Sequence, residues 1–411
     1  MAHLVVAGAG LAGLRAVEAA RRSGFEGTIT LIGDEPYPPY DRPPLSKELL
    51  TGEATGPRFF RSADSLRRDL RVELLLSTAV TALHADERIV IAGGKQIRYT
   101  GLVIATGARA RDLPGSPRLA GLHTLRTVED GLALRQALRP GSRVVVIGAG
   151  FIGSEVACSA RLRGSEVTVV EAAPVPLAHA VGDVAGALLW RLHESIGTDL
   201  RCGAKVESIE GTAHVEAVNL SDGSRLPADV VVAGVGAVPA IEWLQRSGLE
   251  LNNGVVCDET LNAGAPGVYA AGDGAEWFNP LFGETMRLEH WSAAADQGRV
   301  AGRNAADPSL AAPCATVPYF WSDWNGDRIQ FAGVPGADEV EVVAGDPAEG
   351  SFLVLYRRGG RVCGVLGLNQ AQPVIQLRAM IARRVSWPEA LEFANQSAIS
   401  PGKTIYRLPD N

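Results

Sequence analysis

The pattern Gly-x-Gly-x-x-Gly occurs twice in this chain, each time between an apolar run and a helical one, and this duplication restricts the fold more than any other feature. Residues 4–13 read Leu-Val-Val-Ala-Gly8-Ala-Gly10-Leu-Ala12-Gly13; an Ala- and Arg-rich helical stretch follows over residues 14–23, then a strand over residues 28–32. Residues 144–153 read Val-Val-Val-Ile-Gly148-Ala-Gly150-Phe-Ile152-Gly153, again with a helix behind them and a strand, residues 166–170, beyond. Each copy reads strand, glycine turn, helix, strand, the context in which the motif carries meaning. The first glycine permits the sharp turn, the second lets a pyrophosphate approach the backbone, and the third lets helix and strand pack closely. Unpaired amides at the helix start then bind the phosphates. A single match is weak, since a tight turn with no ligand has the same pattern; two matches in full context point to two dinucleotides.

A ribose partner is expected at the end of the second strand of each copy. In the second copy Glu171 stands there, 18 residues beyond Gly153. In the first copy Gly33 takes the matching position, so Asp34 is the expected ribose acid and Glu35 the alternative. Two further apolar runs end in glycine, Leu102-Val-Ile-Ala-Thr106-Gly107 and Val230-Val-Val-Ala-Gly234-Val-Gly236, where the chain can cross between domains. At 411 residues the chain is too long for one ordinary core, and 47 Gly with 24 Pro imply many tight turns.

A net charge of −7 argues against nucleic acid as a partner, because phosphate binding draws on a basic surface. The five cysteines, Cys158, Cys202, Cys257, Cys314 and Cys363, are scattered and form no CxxC pair, which indicates neither a disulfide framework nor a metal site. The N-terminus enters a strand almost at once, leaving no room for a secretion signal, and no apolar run approaches the roughly 20 residues of a membrane span. A cytoplasmic protein that does not bind a membrane is expected.

Two segments specify a family: Tyr40-Asp-Arg42-Pro-Pro-Leu-Ser-Lys47, and Val268-Tyr-Ala-Ala-Gly272-Asp273. They resemble the two-dinucleotide-domain flavoprotein disulfide reductases. Within that superfamily the RPPLSK stretch, Glu289-His290-Trp291 and Pro318-Tyr-Phe-Trp321-Ser-Asp323 look like the ferredoxin reductases of bacterial oxygenase systems. The resemblance implies an α/β fold with two Rossmann-like dinucleotide-binding domains plus a small α+β C-terminal domain. Residues 1–110 and 240–315 would form a discontinuous FAD-binding domain, 111–239 an NADH-binding domain, and 316–411 a C-terminal interface domain. In the last, strands are expected over 328–334, 339–343, 351–357 and 361–366, then a helix over 371–384.

The same resemblance implies the site. Ala12 would lie near the FAD pyrophosphate, and Ile152 would be a cofactor-binding residue of the second copy. Asp34 or Glu35 would meet the adenosine ribose. Val80 and Arg126 would line the flavin cofactor and Asp273 would bind its ribityl chain, with Arg42, Thr106, Gly107, Gly236 and Gly272 as further cofactor-binding residues. Glu289, His290 and Trp291 would sit beside the flavin where a helix over about 292–306 begins, its positive end favouring negative charge. Lys47 would place its ammonium near the reactive edge of the ring. Glu155 would face the nicotinamide and Trp321 shield the flavin, the three forming the catalytic set. Asp323-Trp324-Asn325 departs from the Gln-Tyr pair more usual in these relatives.

Members of the superfamily that reduce disulfides or peroxide need cysteine beside the flavin, whereas this chain has Leu45-Ser46-Lys47 and no cysteine before Cys158. Electrons must therefore leave the flavin directly. The expected acceptor is an iron–sulfur ferredoxin, which would feed an oxygenase. The other readings are reduction of a quinone or oxygen, and a redox-sensing role resembling apoptosis-inducing factor. Docking of an acidic ferredoxin requires a local basic patch, with Arg299 and Arg303 or Arg383-Arg384 as candidates. The chain is expected to be a monomer or weak homodimer, with FAD and NADH as its cofactors and no metal of its own.

Overall fold

The computed structural model describes residues 2–113, 115 and 119–397. The chain divides into two compact units: Met1–Asp41, Arg58–Arg109 and Val238–Pro318 make the first, and Arg42–Pro57, Ala110–Ala237 and Tyr319–Asn411 the second.

The first unit is built on five parallel strands in the order Val268–Ala270, Gly101–Ile104, His3–Ala7, Thr28–Ile32, Val72–Leu75. The central strands are apolar throughout because crossover elements cover both faces, and Leu4, Val5, Val6 and Ala7 are fully buried. An antiparallel excursion, Val80–His84, Ile89–Ala92 and Lys95–Arg98, separates the third and fourth strands in sequence. The helix behind the first glycine turn spans Leu11–Arg22, three residues earlier than the composition suggested. Gly13 lies inside its first turn, and a glycine there weakens the helical signal while serving the packing. A second helix, Trp291–Ala306, crosses it at backbone contact: a Cβ at Gly298 would lie 2.3 Å from the Ala12 carbonyl oxygen, and one at Gly302 2.2 Å from that of Ala16. Side chains are excluded from this crossing, which fixes where the second helix begins.

The second unit repeats the plan with Leu122–His123, Val230–Ala233, Arg143–Ile147, Glu166–Glu171 and Asp199–Cys202, all parallel. Its antiparallel excursion, Val206–Gly211, Val215–Leu220 and Arg225–Pro227, falls at the same point of the topology. The two copies agree in register: Ala7 faces Ile32 and Ile147 faces Val170, and the next amides, of Gly8 and Gly148, donate to the Ile32 and Val170 carbonyls at 2.8 and 2.7 Å.

Residues 319–397 form an antiparallel sheet, Tyr319–Trp324, Asp327–Gly333, Arg361–Leu368, Ser351–Arg358, Glu339–Asp346, followed by helices Ala371–Ala382 and Trp387–Ser397. The α/β class with two Rossmann-like halves and a small α+β addition is as expected. The strand Tyr319–Trp324 and the final helix were not anticipated. The strand buries Phe320, Ser322 and Trp324 and half-exposes Tyr319, Trp321 and Asp323, so a polar serine among its inner positions hides the alternation. Pro388 masked the helix, although proline is tolerated in a first turn.

Arg42–Pro57, expected within a continuous FAD-binding segment, packs in the second unit. Its tight turn Pro43–Ser46 and helix Glu48–Thr51 lie against the helices Val128–Ala137 and Phe151–Leu162. Ser159 Oγ donates to the Ser46 carbonyl at 2.6 Å, Arg163 to that of Leu50 at 3.1 Å, and Arg135 to that of Ala54 at 2.9 Å.

Candidate active site

The three glycines of each motif prove physically distinct. A Cβ at Gly8 would stand 2.0 Å from the Ala105 carbonyl oxygen, and one at Gly148 2.4 Å from that of Gly234; both residues also have left-handed φ, +120° and +102°. At Gly13 and Gly153 the obstacle is the carbonyl of the first glycine, at 1.9 and 2.0 Å. Gly10 and Gly150 differ, since a Cβ there would meet nothing within 4 Å. They cap the helices Leu11–Arg22 and Phe151–Leu162, which carry neither a side-chain cap nor an acid in the first turn. An open approach to uncapped amides at the positive end of a helix suits a pyrophosphate, and both turns fit a dinucleotide. Ala12 is buried, whereas Ile152, the second residue of its helix, is 41% exposed.

Glu171 ends the strand Glu166–Glu171, and its carboxylate accepts from the amides of Ala149 (2.7 Å) and Ala173 (2.8 Å). It is thereby held against the second glycine turn. At the matching position of the first copy, a Cβ on Gly33 would come within 2.6 Å of the Ala9 methyl, so no acid fits there and the carboxylates move on to Asp34 and Glu35. Asp34 is exposed; Glu35 accepts from the Tyr40 hydroxyl at 2.6 Å.

The remaining first-unit candidates cluster near strand ends and the second helix. Thr106 Oγ1 donates to the Ala240 carbonyl at 2.7 Å, and Gly107 follows with φ +70°. The Gly272 amide donates to Gln297 at 2.8 Å, and the Asp273 carbonyl accepts from Arg287, which also pairs with Glu289 at 2.9 Å. Trp291 Nε1 donates to Asp41 at 2.8 Å, and His290 precedes the helix without a side-chain capping bond. Burial pulls the half-buried His290 down to about 4 against the attraction of Asp273. Val80 opens its strand and packs on the first-unit core.

In the second unit Arg42 donates to the Arg126 carbonyl at 2.6 Å, and Gly236 has φ +88°. Here Lys47 and Glu155 meet: Nζ lies 2.7 Å from Glu155 Oε1. The same carboxylate accepts from Ser46 Oγ at 2.5 Å on Oε2 and from Ser322 Oγ at 2.6 Å on Oε1. Glu155 is 4% exposed, so a charged carboxylate is held out of water by one ammonium and two hydroxyls. Ser46 and Ser322 were not singled out from the sequence. Trp321 stands on the opposite face of its strand from Ser322, stacked with Tyr319 at 6.1 Å, and does not join this cluster.

No thiol serves the site. Burial, with the Glu155 charge adding to it, pushes Cys158 up to about 12, and burial raises Cys202, Cys257 and Cys314 equally far. Among the described residues no group of His, Cys, Asp and Glu is arranged to hold a metal, and no helix is long and apolar enough to cross a membrane.

Behind the cluster, on the helix Ala178–Ser195, lies His193, fully buried, 3.1 Å from Ser154 Oγ and 4.9 Å ring to ring from Trp324. Burial pulls it down to about 4. Below its ordinary value near 6.5 the unfolded chain takes up a proton that the folded ring refuses. This contribution is therefore complete above pH 6.5 and is lost as pH falls towards 4, an effect of about 3 kcal/mol. Urea unfolding of the FAD-saturated protein at pH 7 and 4.5 should show the loss, and His193→Gln should shrink it; equal losses in both proteins would remove His193 from the account.

Comparison with known proteins gives the family of the chain. The model of the pyridine nucleotide-disulphide oxidoreductase family matches residues 2–298, and that of the reductase C-terminal domain matches residues 319–398. The chain is 37% identical to the ferredoxin–NAD(+) reductase component of the anthranilate 1,2-dioxygenase system of Burkholderia cepacia, over 92% of this chain and 93% of that one. It is 37% identical to the corresponding biphenyl dioxygenase component of Paraburkholderia xenovorans, over 93% and 94%. Among solved structures, the covalent putidaredoxin reductase–putidaredoxin complex superposes with a TM-score of 0.89 at 34% identity, covering 95% of each chain.

Proposed function

Because the chain belongs to the pyridine nucleotide-disulphide oxidoreductase family and continues into its reductase C-terminal domain, we propose that it is the NADH:ferredoxin reductase of an oxygenase system. The observation that carries this reading is the cluster around Lys47 and Glu155, where Ser46 stands in place of a redox cysteine and the neighbouring thiol, Cys158, is buried and has no cysteine partner, so that electrons pass directly to an outside acceptor. FAD held by these residues would supply a centre able to accept a hydride, that is two electrons and one proton, from NADH and to give up the electrons one at a time to two iron–sulfur acceptors, with the proton returned to solvent.

The protein's part is to hold and orient. Residues 1–110 with 240–315, less the segment Arg42–Pro57 that packs in the second unit, form the FAD-binding domain, the open turn at Gly10 taking the pyrophosphate and Asp34 or Glu35 the ribose. Residues 111–239 bind NADH, with Gly150 at the pyrophosphate and Glu171 at the adenosine ribose. Lys47 and Glu155 supply the charges that hydride transfer uses, and residues 316–411, with Trp321, form the acceptor side. Basic side chains guide a ferredoxin in transient contact; Arg303, Arg383 and Arg384 are exposed, while Arg299 is tied to Asp296 at 2.5 Å. The encounter should weaken as salt rises.

Stopped-flow reoxidation of the NADH-reduced holoenzyme tests the reading. A ferredoxin encoded beside it should oxidise the flavin faster than oxygen or a quinone does; the reverse order would replace the electron-carrier function by reduction of a small acceptor.

Coenzyme choice follows from Glu171. Its carboxylate is fixed by two amides, and Ala172-Ala173-Pro174 offers no arginine to a 2′-phosphate. The expected kcat/KM therefore favours NADH, and Glu171→Ala should narrow the ratio by about tenfold, since removal of the anion relieves the repulsion. Equal kcat/KM for NADH and NADPH in the unaltered enzyme would sink the assignment.

A further inference from the structure

The cluster around Glu155 contains a hydrogen-bonded series whose polarity is fixed by its outer member. Trp324 Nε1 can only donate, and it does so to Ser322 Oγ at 2.8 Å. Ser322 has one proton, and with the indole N–H occupying its acceptor side that proton goes to Glu155 Oε1, 2.6 Å away. Both donors are sealed from water, Ser322 at 0% and Trp324 at 1% exposure, so no solvent competes for either bond. The His193 ring, 4.9 Å from the indole and itself bonded to Ser154, backs Trp324 from the coenzyme-binding segment.

Lys47 shares Oε1 with Ser322, but an ammonium attracts as a point charge and sets no plane. A glutamate side chain has several rotors, and its carboxylate plane is determined only when directional donors engage it. Ser46 supplies one such donor on Oε2 and Ser322 the other on Oε1. We propose that Ser322, oriented by Trp324, is a positioning residue of the Lys47–Glu155 pair, so that the C-terminal segment takes part in hydride transfer from NADH as well as in meeting the electron acceptor. This rests on the reading that Lys47 and Glu155 serve that transfer.

The test compares Ser322→Ala, Ser322→Thr, Trp324→Phe and the double variant Ser322→Ala/Trp324→Phe with Lys47→Met, all as FAD-loaded holoenzymes. The readouts are FAD per chain, the Kd for NADH, the limiting rate of anaerobic flavin reduction, and the midpoint potential of the bound FAD. Ser322→Ala should lower the limiting rate by about tenfold with an unchanged NADH Kd, because orientation rather than binding is lost. Its potential should move in the direction seen for Lys47→Met and by less. Trp324→Phe frees the serine proton to rotate and should lower the rate by about threefold. Ser322→Thr keeps a hydroxyl at a strand position and should restore most of the rate.

Should Ser322→Ala lose FAD because the Trp324 N–H is left without its acceptor, the double variant, which removes both, decides in its place. A folded Ser322→Ala or double variant with unaltered rate and potential, alongside an altered Lys47→Met, would overturn the positioning role and leave the proposed function standing. If Lys47→Met is also unaltered, the pair is not part of hydride transfer and both readings fall.

Discussion

Gly150→Ala is expected to leave the second unit folded while raising the Kd for NADH between about tenfold and a hundredfold, whereas Gly153→Ala, three residues on, should prevent that unit from folding. Gly150 has φ −79°, which alanine adopts freely, and its added methyl meets no protein atom. The methyl would instead occupy the space through which a pyrophosphate reaches the helix amides, separating phosphate from donors. At Gly153 the methyl would overlap a backbone carbonyl oxygen at 2.0 Å, and neither strand nor helix can yield without losing its register. Overpacking against backbone of this kind costs about 3 kcal/mol or more. Circular dichroism melting with NADH titration separates the two effects, and normal NADH affinity in Gly150→Ala would mean that no nucleotide lies at this turn. The first copy offers the parallel pair: Gly10→Ala should fold without retaining FAD, and Gly13→Ala should not fold.

Lys47→Met should have the second large effect. The substitution keeps the length of the side chain and removes its charge, leaving a carboxylate that is 4% exposed with only two serine hydroxyls to hold it. Removing one partner of a buried pair costs about 3–5 kcal/mol; with Lys47 itself one-fifth exposed, the lower end applies. Lys47→Met/Glu155→Gln leaves neither charge and should recover most of this stability, so a double-mutant cycle isolates the pairing. Function should not recover with it. On the proposed role of the pair, both variants should reduce their flavin slowly with NADH, and the single variant should hold it at a lower potential because a positive charge is lost there without the loss of the neighbouring negative one. A single variant as stable as the parent would show that the ion pair carries little of the energy of this site.

The parts of the fold legible in the sequence were those whose physics is local. The runs Leu4–Ala7 and Val144–Ile147 must be inner strands because nothing in them tolerates water, and the glycines behind them mark turns that no other residue can make. Glu171 was legible for the same reason, being a fixed distance along the same unit. The substitution of Asp34 and Glu35 for an acid at position 33 was visible as spacing, but its cause, the Ala9 methyl, belongs to tertiary packing. Ser46 and Ser322 could not be found in this way. Each is an ordinary residue whose role arises from Glu155, 109 and 167 residues distant. Trp324, noticed only as a departure from relatives, gains its meaning from the serine two positions before it. The strand containing both was hidden because its inner face mixes a hydroxyl with aromatic rings.

The placement of Arg42–Pro57 in the second unit bears on how the protein is made. A ribosome delivers this segment early, yet the helices that receive it, Val128–Ala137 and Phe151–Leu162, and the strand Tyr319–Trp324 follow much later. Until then Leu45, Leu49 and Leu50, all buried in the finished protein, remain exposed on the nascent chain as a short apolar stretch open to chaperones. The first unit must meanwhile tolerate a loop leaving it at Asp41 and returning at Arg58, and it too is completed only when residues from Val238 onward emerge. Neither unit is one uninterrupted segment of the chain. Truncation before residue 319 would leave the strands of both parallel sheets in the chain but would remove the antiparallel sheet that brings Ser322 to Glu155, so the carboxylate would lose a donor that no earlier part of the chain supplies.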